Sequence, residues 1–180
     1  MDSLGKLEEI FRHFPGIGPR QAKRFVYYLL TRQSSDLEDL SKLITELKKQ
    51  VSVCTNCQRF FTNYNKEKPN TLCSICSDPN RDNSLLMIVA RDIDLQAVEK
   101  SRAFTGVYFI LGGTVPILDE EPETKIRQSE LLARIKELTS LREIILGVNV
   151  NSEGEHTAAY ITSLLKPLNI KISTLGRGLQ

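Results

Sequence analysis

Two Cys-x-x-Cys pairs constrain this chain more than any other feature. Cys54 and Cys57 form the first pair, Cys73 and Cys76 the second, and fifteen residues, Gln58 to Leu72, lie between them. Two such knuckles at this spacing can bring four thiolates to the corners of a tetrahedron around one Zn²⁺. An iron–sulfur cluster, a redox pair and incidental buried cysteines are the other readings of the same residues. Four protein ligands leave no position open for water, so the spacing points to a structural ion rather than a catalytic one. The stretch from Val51 to Asp82 is frequent in Asn, Pro, Ser, Asp and Lys and poor in large aliphatics. About 30 residues of that kind need a staple, and metal binding supplies folding free energy on the order of 10 kcal/mol. Lys48, Lys49, Arg59, Lys66 and Lys68 flank the cysteines, either as a nucleic-acid contact or as a solvated basic surface.

The metal reading assumes reduced thiols. No uninterrupted apolar run approaches the ~18 residues of a membrane span. Met1 to Phe14 carries Asp2, Glu8 and Glu9 and lacks the basic-then-apolar order of a signal peptide. The expected compartment is therefore the cytoplasm, where paired cysteines favour metal over disulfides. With 180 residues, one or two domains are expected, and 41% hydrophobic residues suffice for a core. A net charge of +2 is too mild to imply a polyanion partner, so charge distribution has to carry that argument.

Ahead of the cysteines the pattern is helical. Leu4, Leu7, Ile10 and Phe11 share one face of a short helix, and Ala22, Phe25, Val26, Leu29 and Leu30 mark the apolar face of a second. Ser35 with Glu38 reads as a capping box for a third, with Leu37, Leu40, Leu43, Ile44 and Leu47 at helical spacing up to about Gln50. Between the first two lies Phe14-Pro15-Gly16-Ile17-Gly18-Pro19, a tight turn with Pro19 suited to the first helical position. Free amides at such a helix start, together with the helix dipole, favour an anion. Arg20, Lys23 and Arg24 follow at i, i+3, i+4 and share one face at that end. Gly16, Ile17, Gly18, Arg20, Lys23 and Arg24 are therefore the candidate phosphate-binding residues, positioning DNA without reading sequence. The bland alternative is a helix–helix corner with a solvated basic face.

From Ser84 onward, apolar runs alternate with amphipathic stretches. Leu85–Val89, Val107–Leu111, Glu143–Val148 and Ile170–Leu175 are the expected strands. Helices are expected near Leu95–Ser101, Ser129–Thr139 and Glu155–Leu165. That order predicts a parallel sheet with helices on both faces. Asp119 to Thr124 reads as an acidic loop containing proline. Ligands of such sheets gather at the carboxyl ends of strands. There the chain offers Asp92 and Asp94 after one strand and Glu153 and Glu155 after another, with Asn149 and Asn151 at the strand end itself. A Mg²⁺-dependent phosphoryl-transfer site needs several convergent carboxylates, so this is a poor one. Glu153 and Glu155 read either as helix capping or as a partner-docking patch. His13 and His156, the two histidines, show no ligand pattern, and no P-loop motif occurs.

Taken together, the order of these pieces resembles the RecR family of bacterial recombination mediators. Phe14-Pro15-Gly16-Ile17-Gly18-Pro19-Arg20-Gln21-Ala22, the four cysteines and Asp78-Pro79-Asn80-Arg81-Asp82 carry the resemblance. Tyr108-Phe109-Ile110-Leu111-Gly112-Gly113, Ser152-Glu153-Gly154-Glu155-His156-Thr157-Ala158 and Leu164-Leu165-Lys166-Pro167 extend it over essentially the whole chain. It implies a multidomain α+β and α/β architecture. The parts are a helix-hairpin-helix DNA-binding region at 1–52, a four-cysteine zinc finger at 53–82, and a Toprim-like parallel α/β domain at 83–180 without nuclease or topoisomerase activity. It further implies a dimer or tetramer ring around DNA, RecO and RecF as partners, and RecA loading on gapped single-stranded DNA in the bacterial cytoplasm and nucleoid. The DNA would meet Arg20, Lys23 and Arg24, and RecO the acidic edge. Two departures stand out. Ala90 occupies the end of the first Toprim strand, where family members usually carry Glu. The family also continues past the Gly178-Leu179 position with a further strand and helix that contribute to subunit pairing, whereas this chain ends at Gln180. The contrasting expectations are a metal-dependent Toprim nuclease or primase-like enzyme using Asp92, Asp94, Glu153 and Glu155, and an interaction scaffold that does not touch DNA.

Overall fold

The structure is a computed structural model and describes residues 2–63, 70–118 and 121–175. Lys66, Lys68, Asp119, Glu120, Gly178 and Leu179, which entered the sequence reading, lie outside them. The chain divides into two compact units, Met1–Gln50 and Val51–Gln180.

The first unit is helical. Helix α1 spans Ser3–Arg12, and the Gly5 amide donates to Asp2 Oδ1 at 2.8 Å to cap its start. His13 caps its end, with Nδ1 2.8 Å from the Glu9 carbonyl oxygen. Helix α2 spans Pro19–Leu30, with Gly18 as N-cap and Pro19 at the first helical position, as expected. Ala22 and Val26 are buried, and Phe25 and Leu29 half-buried, on one side of α2. The Phe25 ring meets Phe11 of α1 edge-on at 5.7 Å. Helix α3 spans Ser34–Gln50. It begins two residues earlier than the expected capping box allows, so Ser35 is its second residue rather than its cap. The Asp36 and Leu37 amides instead donate to the Gln33 carbonyl.

The second unit opens with a ribbon that composition did not suggest. Strands β1, Val51–Val53, and β2, Phe60–Thr62, pair antiparallel, Val53 opposite Phe60. The first Cys-x-x-Cys turn is the loop of this hairpin. Strands β3 (Asp82–Val89), β4 (Gly106–Ile110), β5 (Glu143–Gly147) and β6 (Lys171–Thr174) then form a parallel sheet in the order β4-β3-β5-β6. Helices α4 (Asp92–Ser101), α5 (Gln128–Glu137) and α6 (Ser152–Leu165) connect them. The expected strands and helices are all present, with β3 starting three residues before Leu85.

The continuous apolar runs are explained by burial on both faces. Side chains alternate along a strand. Leu86 and Ile88 of β3 therefore pack with Leu131 and Ile135 of α5 and Ile161 and Leu165 of α6. Met87 and Val89 turn the other way, toward Leu95 of α4, Ile75, and Cys54, Cys57 and Cys73. The cysteine module thus covers one face of the sheet beside α4. No described helix is long and apolar enough to cross a membrane.

Candidate metal centre and nucleic-acid interface

The sequence puts each cysteine pair on a tight turn, and the fold brings the two turns together. The Sγ atoms of Cys54, Cys57, Cys73 and Cys76 all lie within 4.8 Å of one another, and Cys57 Sγ is 3.6 Å from Cys73 Sγ. Cys54, Cys57 and Cys73 are buried and Cys76 half-buried. The Cys57 thiol holds Cys54 well below the ordinary thiol range, with Cys73 and Cys76 adding to the effect. The same contact with Cys54, supported by burial, pushes Cys57 up. Four sulfurs so close cannot all carry charge without a cation among them. This is a metal site, and it is the cluster of His, Cys, Asp and Glu able to hold an ion among the described residues.

The turns are fixed from outside. The Cys54 amide donates to the Arg59 carbonyl at 2.9 Å, and Gln58 closes the knuckle in the left-handed region at φ 62°. On the sheet side, the Ile110 amide donates to the Cys57 carbonyl at 2.9 Å, and Arg127 Nη1 donates to the Gln58 carbonyl at 2.8 Å. The Phe60 amide donates to Asp92 Oδ1 at 2.8 Å, tying the ribbon to the start of α4. Sequence reading missed Arg127 and Gln58, because neither carries a local signal.

The Gly16–Gly18 bend is exposed, with Ile17 half-buried. Gly16 has φ +76°, which favours glycine, whereas Gly18 has φ −83°, open to any residue. A Cβ at either position would meet no atom within 4 Å. The amides of Gly18 and Arg20 take no carbonyl partner among the described residues, while Gln21 and Ala22 donate to the Gly18 carbonyl. Arg20, Lys23 and Arg24 are exposed on one side of α2 and share an open face with Tyr27, Tyr28 and Thr31.

At the carboxyl end of the sheet, the four acidic candidates do not gather. Asp94 Oδ2 accepts from the Arg91 amide at 2.9 Å, closing the N-terminus of α4, and Asp92 is held by Phe60. Glu153 Oε2 accepts from Thr114 Oγ1 at 2.9 Å. Helix α6 is capped by Asn151, whose Oδ1 accepts from the Gly154 amide at 2.8 Å, and Glu153 and Glu155 lie in its first turn. Ala90 is buried where β3 ends.

The Asp78–Asp82 segment has a purpose the sequence did not disclose. Arg81 makes a bidentate pair with Glu99 of α4, Nη1 to Oε1 at 2.8 Å and Nη2 to Oε2 at 2.6 Å. It also donates to the Phe104 and Gly106 carbonyls, and Tyr108 Oη donates to Glu99 Oε1 at 2.7 Å. Burial works against the Glu99 charge, but these partners prevail and hold its carboxyl below the ordinary value.

Comparison with known proteins matches both units. Residues 4–48 match the model for the RecR helix-hairpin-helix, and residues 84–176 the Toprim domain. The recombination protein RecR of Desulforudis audaxviator (strain MP104C) is 37% identical over 177 residues, covering 98% of this chain and 85% of that protein. Similarity that runs through the hairpin, the cysteine module and the sheet alike places the chain in the RecR family.

Proposed function

We propose that the chain is a DNA-binding recombination mediator with no chemistry of its own, working on the bacterial nucleoid in the cytoplasm. The observation that carries this reading is the exposed Gly16–Gly18 bend with Arg20, Lys23 and Arg24 on one side of the following helix, in a member of the RecR family. Unpartnered amides and clustered cations suit the sugar–phosphate chain and ignore base identity.

Zinc is the proposed ion. A tetrahedron with Zn–S bonds of about 2.3 Å has sulfur–sulfur edges of about 3.8 Å. The 3.6 Å Cys57–Cys73 separation is close to that figure, and all four sulfurs lie within 4.8 Å of one another. Four thiolates are a structural donor set, and the ion's contribution is folding free energy at the sheet face.

By family, the chain assists RecO and RecF in loading RecA onto gapped single-stranded DNA, as a dimer or tetramer ring. In this reading 1–52 engages DNA, 53–82 holds zinc, and 83–180 meets partners through an edge that includes Glu153 and Glu155. The local hydrogen bonds of Asp92, Asp94 and Glu153 argue against a Mg²⁺ nuclease or primase-like centre.

Fluorescence anisotropy with labelled DNA tests the reading. Affinity should fall steeply with salt, vary little with sequence, and drop by roughly tenfold or more in a Lys23→Glu/Arg24→Glu variant. Unchanged affinity in that variant rejects the surface. Mg²⁺- or Mn²⁺-dependent cleavage that disappears in Glu153→Ala rejects the non-enzymatic assignment.

A further inference from the structure

The exposed side of α2 carries more than charge. A period of 3.6 residues sets Arg20, Lys23, Arg24, Tyr27, Tyr28 and Thr31 along one side, opposite Ala22, Phe25, Val26 and Leu29, which pack inward. Tyr27 is 56% and Tyr28 54% exposed, on the face where a merely solvated helix would take polar side chains. A single exposed aromatic is unremarkable. Here two follow one another, about 10 Å along the axis from Arg20, on the same open face as all three cations. The Arg32 guanidinium lies 4.2 Å from the Tyr28 ring centre, placing a planar cation on that ring. Such a cation can itself stack on a base.

Cations that track a backbone, followed by aromatic rings exposed on the same face, form the arrangement that holds unpaired strands. Every base has a π-face, so stacking tolerates any sequence, whereas a duplex keeps its bases stacked internally and offers the rings nothing. We infer that the exposed face of α2 is a single-strand site, with phosphates on Arg20, Lys23 and Arg24 and unstacked bases on Tyr27 and Tyr28. The inference rests on the DNA-binding reading above and adds to it a ligand class, an unpaired strand, and two residues.

The test uses the full chain, an oligothymidylate, and an abasic oligonucleotide of equal length that keeps the phosphates and lacks the bases. The chain should bind the oligothymidylate about tenfold or more tighter than the abasic strand, the scale of a base–aromatic stack. Tyr27→Ala/Tyr28→Ala should remove that difference while leaving abasic binding unchanged, and Tyr27→Phe/Tyr28→Phe should restore it. Equal losses on both strands, or none on either, overturn the inference and leave phosphate binding standing. A changed mass by light scattering with unchanged DNA affinity also overturns it, assigning the tyrosines to contact with a second copy. If the unaltered chain binds neither strand, the DNA reading itself falls, and this inference falls with it.

Discussion

Arg127 reaches across 69 positions to donate a 2.8 Å hydrogen bond to the Gln58 carbonyl, and so locks the first cysteine knuckle onto the sheet. The same guanidinium donates to the Ile110 carbonyl at 3.4 Å, and the Ile110 amide in turn donates to Cys57. A metal ligand is thereby held in place by the last residue of β4 and by the residue just before α5.

Arg127→Ala should loosen that knuckle from outside the ligand set. Losing a charged donor to a half-buried carbonyl costs about 1.5–3 kcal/mol. Urea unfolding should register the loss, and a chromogenic chelator should extract the metal faster than from the unaltered chain. Arg127→Lys should rescue little, because one ammonium cannot reproduce the planar donor fork. Metal release at the original rate would show that the cysteines alone set the site's rigidity.

The two hairpin glycines should separate fold from binding. Gly16→Ala forces a Cβ into the left-handed region and should destabilise the helical unit by about 1 kcal/mol. Gly18→Ala meets no neighbour and an ordinary φ, but Ala caps a helix less well than Gly, so stability should fall by no more than about 1 kcal/mol. Its methyl group does stand where a phosphate would approach the bend, so DNA affinity should fall at temperatures where the chain remains fully folded. A Gly18→Ala chain with full affinity would place the phosphate elsewhere.

Gly154 is fixed by contact rather than by dihedral angle. A Cβ there would lie 1.9 Å from the Asn149 carbonyl oxygen. Gly154→Ala must displace the β5–α6 loop or the Asn151 cap, at a cost of about 3 kcal/mol or more. Thermal melting measures the loss, and hydrogen exchange at the first turn of α6 should show where the strain appears.

Acid should act through Glu99. Its carboxyl ionises more readily folded than unfolded, because Arg81 and Tyr108 outweigh the burial that opposes its charge. Its contribution to stability is therefore complete above the unfolded value of about 4.3 and disappears as pH falls through the lower folded value. Urea midpoints followed downward through that window should decline less steeply in Glu99→Gln than in the unaltered chain. An identical slope would mean that other carboxylates govern acid unfolding.

Much of this molecule was legible before folding. Cys54, Cys57, Cys73 and Cys76 announce a shared ion because Cys-x-x-Cys spacing is a local property of a turn. Pro19 and the apolar spacing of Ala22, Phe25, Val26 and Leu29 announce α2 because helical periodicity is written within a few residues. The β3 and β5 runs announce buried parallel strands for the same reason. The β1–β2 ribbon escaped notice because its three-residue strands are too short to show a period. Ser35 misled because Gln33 had already started the helix through its carbonyl.

By itself, then, the sequence determined the longer helices and the four sheet strands, that four cysteines sit at metal-ligand spacing, and that cations crowd the Gly16–Gly18 bend, since each follows from neighbours along the chain. Only the tertiary structure decided that the cysteine module covers one face of the sheet, that Arg127 and Ile110 grip it, that Arg81 belongs to Glu99, and that Asp92, Asp94 and Glu153 part company. Those pairings join residues far apart in the chain. The partner of a buried charge or carbonyl is set by which groups the close-packed core happens to leave within reach, and no local pattern records that choice.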